Sequence, residues 1–95
     1  FSLFGVEINT DSRTVKKDGE FVDLTVKEFD LLVELVRNMN VALYRDRLYE
    51  KVWNEPFSGE TRTLDSHIQK LRKKLGWEEH IKTVFRIGYR LEVSV

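Results

Sequence analysis

Cysteine is absent from the 95 residues, which excludes disulfides and thiolate-bound metals and fits a reducing, cytoplasmic location. Histidine is scarce: His67 and His80 stand far apart, with nothing like the HExxH spacing of a metal site. Gly88 lacks the companions of a GxGxxG loop, and Gly59 is not followed by Lys-Ser/Thr, so no phosphate-cradling loop is present. The acid pairs Glu78-Glu79 and Asp11/Asp18 fall in turn-like stretches, where solvated carboxylates are ordinary. No nucleophile, base and oxyanion donor are set to converge. The expectation is therefore a protein that is not an enzyme and calls for no metal or cofactor. No apolar run approaches the roughly 20 residues a membrane helix needs, and no secretory leader opens the chain. It begins at Phe1 rather than Met, so a single domain cut from a longer protein is expected.

Net charge is also missing, with 16 basic and 16 acidic residues, but the balance is uneven along the chain. Residues 61–90 carry eight basic groups (Arg62, Lys70, Arg72, Lys73, Lys74, Lys82, Arg86 and Arg90) against three acids, leaving the remainder equally acidic. Phosphate attraction depends on local potential, because screening at physiological salt acts over about 8 Å. A basic face can therefore bind DNA on a neutral chain. A charge run can equally be a solvated helix face, and the Lys70–Lys74 cluster alone leaves both readings open.

Residues 1–24 alternate in short β-prone runs broken by Asn9-Thr10-Asp11 and Lys17-Asp18-Gly19, which predicts a small antiparallel sheet. Thr25 to Glu28 has the spacing of a capping box opening a helix to Arg37, with Val26, Phe29, Leu32, Val33 and Val36 as its stripe. A second helix is predicted over Arg45–Trp53, with Leu48, Tyr49 and Val52 inward. Asn54–Glu60 holds the only proline and a Ser-Gly pair, so it reads as a loop. The third helix, Thr61–Leu75, places Leu64, Ile68, Leu71 and Leu75 on one face, and Gly76 stands where a C-cap glycine belongs. Trp77–His80 forms a connector. Ile81–Phe85 and Tyr89–Val93 then form a hairpin whose turn Gly88 closes. The order is sheet, three helices, hairpin: an α+β winged helix-turn-helix with an extra N-terminal sheet. A basic helix beside a basic hairpin suits double-stranded DNA, with the helix in the major groove.

Taken in order, LTVKEFDLLVEL, RDRLYEKVW, RTLDSHIQKLRKKL and TVFRIGYRL resemble the successive signatures of the OmpR/PhoB-type response-regulator effector domain. The resemblance covers nearly the whole chain. It implies sequence-specific DNA binding, with the third helix in the major groove and the hairpin wing on the minor groove. It also implies a loop between the second and third helices (Asn54, Glu55, Pro56, Phe57, Ser58, Gly59 and Glu60) that contacts RNA polymerase. A phosphorylated receiver domain, a sensor kinase and dimerisation on tandem promoter repeats belong to the same implication.

Carried over residue by residue, the resemblance assigns DNA contacts as follows. Ser66, Gln69, Lys70 and Lys73 form the outward face, with Lys70 reading bases and Gln69 meeting phosphate or a base edge. Arg62, Thr63, His67, Arg72 and Lys74 flank it, Arg62, His67 and Arg72 as phosphate contacts. Thr83 and Tyr89 supply wing hydroxyls, and Trp53 an indole N–H. For Trp53 and Tyr89, plain core packing is the equal alternative. The sequence departs from the pattern at Phe85, where relatives carry a wing arginine, at Arg86, often glycine, and at Tyr44, where a Ser/Thr cap is usual. Phe85 is expected to pack on the third helix or a neighbouring strand, and Arg86 to reach the minor groove or else stay an unpartnered turn residue. The competing function is a protein-docking module using the basic helix and the Pro56-Phe57 loop. The donor-rich polarity of the helix favours DNA.

Overall fold

Two tight turns set the beginning of the computed structural model, which describes residues 1–94. Phe4-Gly5 and Asp18-Gly19 all have left-handed φ angles (50°, 76°, 50° and 87°), the backbone that two-residue antiparallel hairpins require. They join β1 (Ser2–Leu3) to β2 (Val6–Asn9), and β3 (Thr14–Lys17) to β4 (Glu20–Phe21), in a four-stranded sheet of order β1-β2-β3-β4. Between β2 and β3 the Asn9 side chain accepts from the Asp11 and Ser12 amides. Alternation buries Val6, Ile8 and Val15 on one face of this sheet.

Helix α1 runs Val26–Arg37, one residue shorter than expected because Thr25 is its cap. The Thr25 hydroxyl accepts from the Glu28 amide at 3.2 Å, and the Glu28 carboxylate accepts from the Thr25 amide at 2.9 Å. The predicted stripe needs correcting. Val26 is 66% exposed, sharing the solvent edge with Arg37 at helical spacing, while Leu31 and Leu35 are fully buried. The inward face is wide because α1 packs on both α2 (Arg45–Trp53) and α3 (Arg62–Leu75) and also meets the C-terminal sheet.

Helix α2 has the expected bounds, with Leu48 and Val52 buried and Tyr49 half-buried. Tyr44 supplies no side-chain cap hydrogen bond among the described residues. In α3 the four predicted anchors Leu64, Ile68, Leu71 and Leu75 are fully buried, and Thr61 precedes the helix rather than joining it. Gly76 adopts φ 67°, and the Trp77 amide donates to Arg72 O at 2.9 Å, closing the helix. Trp77 is not a mere connector: it is 1% exposed, with Phe4 packed edge-on at 6.0 Å. An apolar side chain just past a C-cap glycine commonly folds back on the helix.

The hairpin pairs β6 (Ile81–Val84) with β7 (Gly88–Leu91), so Phe85 and residues 92–93 fall outside the strands. A strand missed in the sequence, β5 (Leu43–Tyr44), adds to β7 and gives a three-stranded sheet of order β5-β7-β6. Gly88 does not close the turn, which is Phe85-Arg86-Ile87. It lies in β7, where an added Cβ would stand 1.9 Å from the Leu43 carbonyl oxygen. Glycine is needed there for close approach of β5, not for backbone freedom.

A candidate nucleic-acid interface

Burying four apolar residues of α3 dictates what its far side shows. Arg62, Thr63, Ser66, Gln69, Lys70 and Lys73 are all exposed, and they form a face of cations, hydroxyls and an amide. The one acid of α3, Asp65, is turned to the flank. Its Oδ1 accepts from Arg45 Nε at 3.1 Å and from the Tyr89 hydroxyl. Burial alone would raise the Asp65 pKa. The hydrogen bonds from Tyr89 and Arg45, with the Arg45 charge, outweigh burial and hold it below the usual carboxylate range. Burial and the neighbouring Asp65 carboxylate push the Tyr89 phenol up to about 12.

On the same flank Arg72 joins helix to hairpin. Its Nε donates to Ile81 O at 3.0 Å, Nη2 to Thr83 Oγ1 at 2.9 Å and Nη1 to Gln69 Oε1 at 2.9 Å. The guanidinium carbon lies 5.2 Å from the Tyr89 ring centroid, and that of Arg45 lies 5.0 Å from it. Arg72 and Thr83 are thus brought together, and they spend bonding groups on each other. Of the two alternatives for Tyr89, the geometry accords with core packing: the ring is buried and its hydroxyl is committed to Asp65.

Lys74 is a correction. Its Nζ donates to Glu28 Oε1 at 2.7 Å and to Asp23 O at 2.9 Å, drawing it off the outward face of α3 and onto the start of α1. Glu28 is 1% exposed; burial raises its pKa, but the bonds from Lys74 and Thr25 win and leave it lowered.

The other flank is aromatic. Trp53 is half-buried, stacked on Tyr49 at 4.9 Å and edge-to-face with His67 at 5.1 Å. The Nδ1 of His67 lies 2.7 Å from Thr63 O, an acceptor, so that nitrogen carries the proton and Nε2 faces away. Phe57 packs edge-on to Tyr49 at 5.5 Å, its amide donates to Glu50 Oε2 at 3.0 Å, and the Tyr49 hydroxyl donates to Glu55. The loop of Asn54, Glu55, Pro56, Phe57, Ser58, Gly59 and Glu60 is therefore pinned to the end of α2.

At the wing tip Arg86 takes φ 63° and is exposed, with its guanidinium carbon 5.1 Å from the Phe85 ring centroid. Phe85 does not pack on α3 or a strand: it is 74% exposed, because the turn carries it beyond the edge of β6. Sequence reasoning missed Arg45 as an organising residue. Arg45 sits twenty positions from Asp65, and no local spacing links them.

Among the described residues no helix is long and apolar enough to cross a membrane, and no cluster of His, Asp and Glu is placed to hold a metal. Residues 19–91 match the family described as "Transcriptional regulatory protein, C terminal". The chain is similar to the transcriptional regulatory protein SrrA of Staphylococcus aureus, at 38% identity over 94 residues. That match covers 94% of this chain and 39% of SrrA, so the chain spans well under half of the curated relatives it matches. It is also similar to the Klebsiella pneumoniae RstA DNA-binding domain, crystallised in complex with the RstA box. Identity there is 32% and the TM-score 0.85, covering 97% of this chain and 95% of that one. The DNA-binding domain of Bacillus subtilis CssR gives 31% identity and a TM-score of 0.82, covering 90% and 98%.

Proposed function

The chain belongs to the family of C-terminal domains of transcriptional regulatory proteins, and from that premise we propose that it binds double-stranded DNA sequence-specifically. It does so as the effector domain of a bacterial two-component regulator. Helix α3 enters the major groove and the β6–β7 wing lies on the flanking minor groove or backbone. The observation that carries this reading is the outward face of α3: six exposed polar residues, three of them cationic, with the one acid of the helix neutralised at the flank. Arg62 and Lys73 meet phosphates, Lys70, Ser66 and Gln69 meet base edges, and Arg72 and Thr83 set the wing against the helix. This is a binding module rather than an enzyme, as its relatives' names also suggest.

Selection of bound duplexes from a random pool tests the reading. It expects an enriched motif whose affinity falls with salt, and a salt slope shallower by roughly one unit when Lys73 becomes Ala. Lys70→Ala should instead relax the preference at one base pair, at a cost of about 1–3 kcal/mol on the selected site. A pool that stays random, with no duplex bound above a scrambled control, would sink it.

The pinned Asn54–Glu60 loop supports a second contact. It is held by rings rather than left loose, and it carries Glu55 and Glu60, which repel phosphate. On the family premise we assign it to RNA polymerase, with a receiver domain and its sensor kinase acting in the full-length regulator and two copies on tandem half-sites. Replacing Phe57 by Ser in the full-length protein should then lower transcription while leaving duplex affinity unchanged. Equal loss of both would remove the loop from protein contact.

A further inference from the structure

Two features at the tip of the wing do nothing for the free domain. The Ile87 amide donates to Val84 O at 2.9 Å and closes a turn with Phe85 and Arg86 as its central residues. Arg86 stands at the second place with φ 63°, a backbone that favours glycine. Phe85 stands at the first and is 74% exposed, the highest value of any large apolar side chain among the described residues. The ring forgoes burial and the arginine bears a left-handed backbone, and such costs persist at sites that use them. The tip is nonetheless fixed. Arg72 bonds β6 to α3 through Ile81 O and Thr83 Oγ1, and the Arg45 amide, at the start of α2, donates to Ile87 O at 3.1 Å.

With α3 as the major-groove helix, on which this inference rests, the fixed tip lies over the flanking minor groove. A phenyl ring has no hydrogen-bond donor or acceptor for the base edges there. What it can do is enter between two base pairs, opening the step and kinking the duplex towards the major groove. The guanidinium carbon 5.1 Å from the ring centroid draws the same tip to the negative potential of that groove. We propose that Phe85 is an apolar wedge that enters a pyrimidine–purine step in the minor groove, with Arg86 as the cation that seats it. Such steps, TpA among them, unstack at the lowest cost, so the wing selects by deformability rather than by reading a base edge. The two residues differ on one point: a narrow A-tract attracts Arg86 but is stiff, whereas the wedge requires a step that opens.

Duplex selection with the whole chain should enrich a pyrimidine–purine step, TpA above all, in the flank beside the major-groove motif. A duplex with that TpA step and one half-site is then the probe. Permanganate oxidises thymines that have lost stacking. It should attack the thymine of that step in the wild-type complex and spare it in the Phe85→Ala complex. Phe85→Ala should bind the probe roughly tenfold more weakly, and Phe85→Leu, still an apolar wedge, should recover most of the loss. Changing TpA to ApA keeps the A·T composition and should weaken the wild type roughly fivefold while leaving Phe85→Ala unmoved. The ring is exposed, so neither variant threatens the fold. Unchanged binding by Phe85→Ala, equal permanganate attack in the two complexes, or no attack on any flank thymine in either would each overturn the proposal. A loss in Phe85→Ala confined to duplexes with two half-sites would overturn it too, assigning the ring to a second copy of the chain. A pool with no motif at all would instead remove the major-groove reading beneath it.

Discussion

On its wing side α3 is held by polar bonds; on its loop side it is held by rings. Arg45, Asp65, Tyr89, Arg72 and Thr83 form a connected network between helix and hairpin. Tyr49, Trp53, Phe57 and His67 form a stack between helix and loop. The two solutions differ in what they leave for a partner. Polar bracing consumes hydroxyls and carboxylates, so residues on that side position the site more than they touch a ligand. Ring packing uses faces and edges of the rings and consumes no hydroxyl or carboxylate of α3.

The largest test breaks both sides at once. Ile68→Ala removes a fully buried anchor they share and should cost about 2–5 kcal/mol in chemical denaturation. A loss under roughly half a kilocalorie would mean that the helix faces the other way. Next, Asp65→Ala removes the acceptor at the centre of the wing side and leaves Arg45 and Tyr89 without it, at a cost of about 1–3 kcal/mol. Because the folded Asp65 pKa is lowered, its contribution is full above the unfolded carboxyl value and is lost as pH falls through the folded one. The variant should therefore lose less stability on acidification than the wild type, with Glu28 accounting for the remainder. If the acid limbs of the two proteins superimpose, the network is not holding the carboxylate.

Tyr89→Phe keeps the ring and deletes only the hydroxyl, so a loss of about 1 kcal/mol at neutral pH is expected. Here the folded pKa is raised, from 10.0 to about 12, so the hydroxyl's contribution is complete below pH 10 and disappears as pH rises towards 12. Thermal unfolding across that alkaline window should fall for the wild type and stay flatter for the variant. The smallest stability effect belongs to the wing tip. Arg86→Ala should change stability by less than roughly half a kilocalorie, since alanine bears the same left-handed backbone cost. Its binding effect should instead be selective, lowering affinity for duplexes with an A·T-rich flank, whose narrow minor groove attracts a guanidinium. Equal binding of the variant to A·T- and G·C-flanked duplexes, matching the wild type, would leave Arg86 an unpartnered turn residue.

What the sequence made legible was local. The capping box at Thr25, the bounds of α2 and the buried face of α3 each follow from spacings within a few residues. What it hid was long-range. Lys74 belongs to a basic run and was assigned with it to DNA, but its partner Glu28 is 46 positions away. Gly88 was read as closing the turn, and the unforeseen strand β5 gives it a different task. Phe85 was expected to pack on the third helix or a strand because it has no donor for groove acceptors, whereas the turn geometry projects it outward. Tertiary bonds claim the polar atoms of Tyr89 and Lys74, and no local spacing shows them.

The bond from Lys74 to Glu28 has a kinetic consequence. Helix ends ordinarily fray, and each opens on its own. Here the last turn of α3 donates into the carboxylate that caps the first turn of α1, so neither end can open without loosening the other. In native-state hydrogen exchange the amides of these two turns, remote in sequence, should open as one cooperative unit. The last turn of α3 is then as slow to open as the first turn of α1 it leans on.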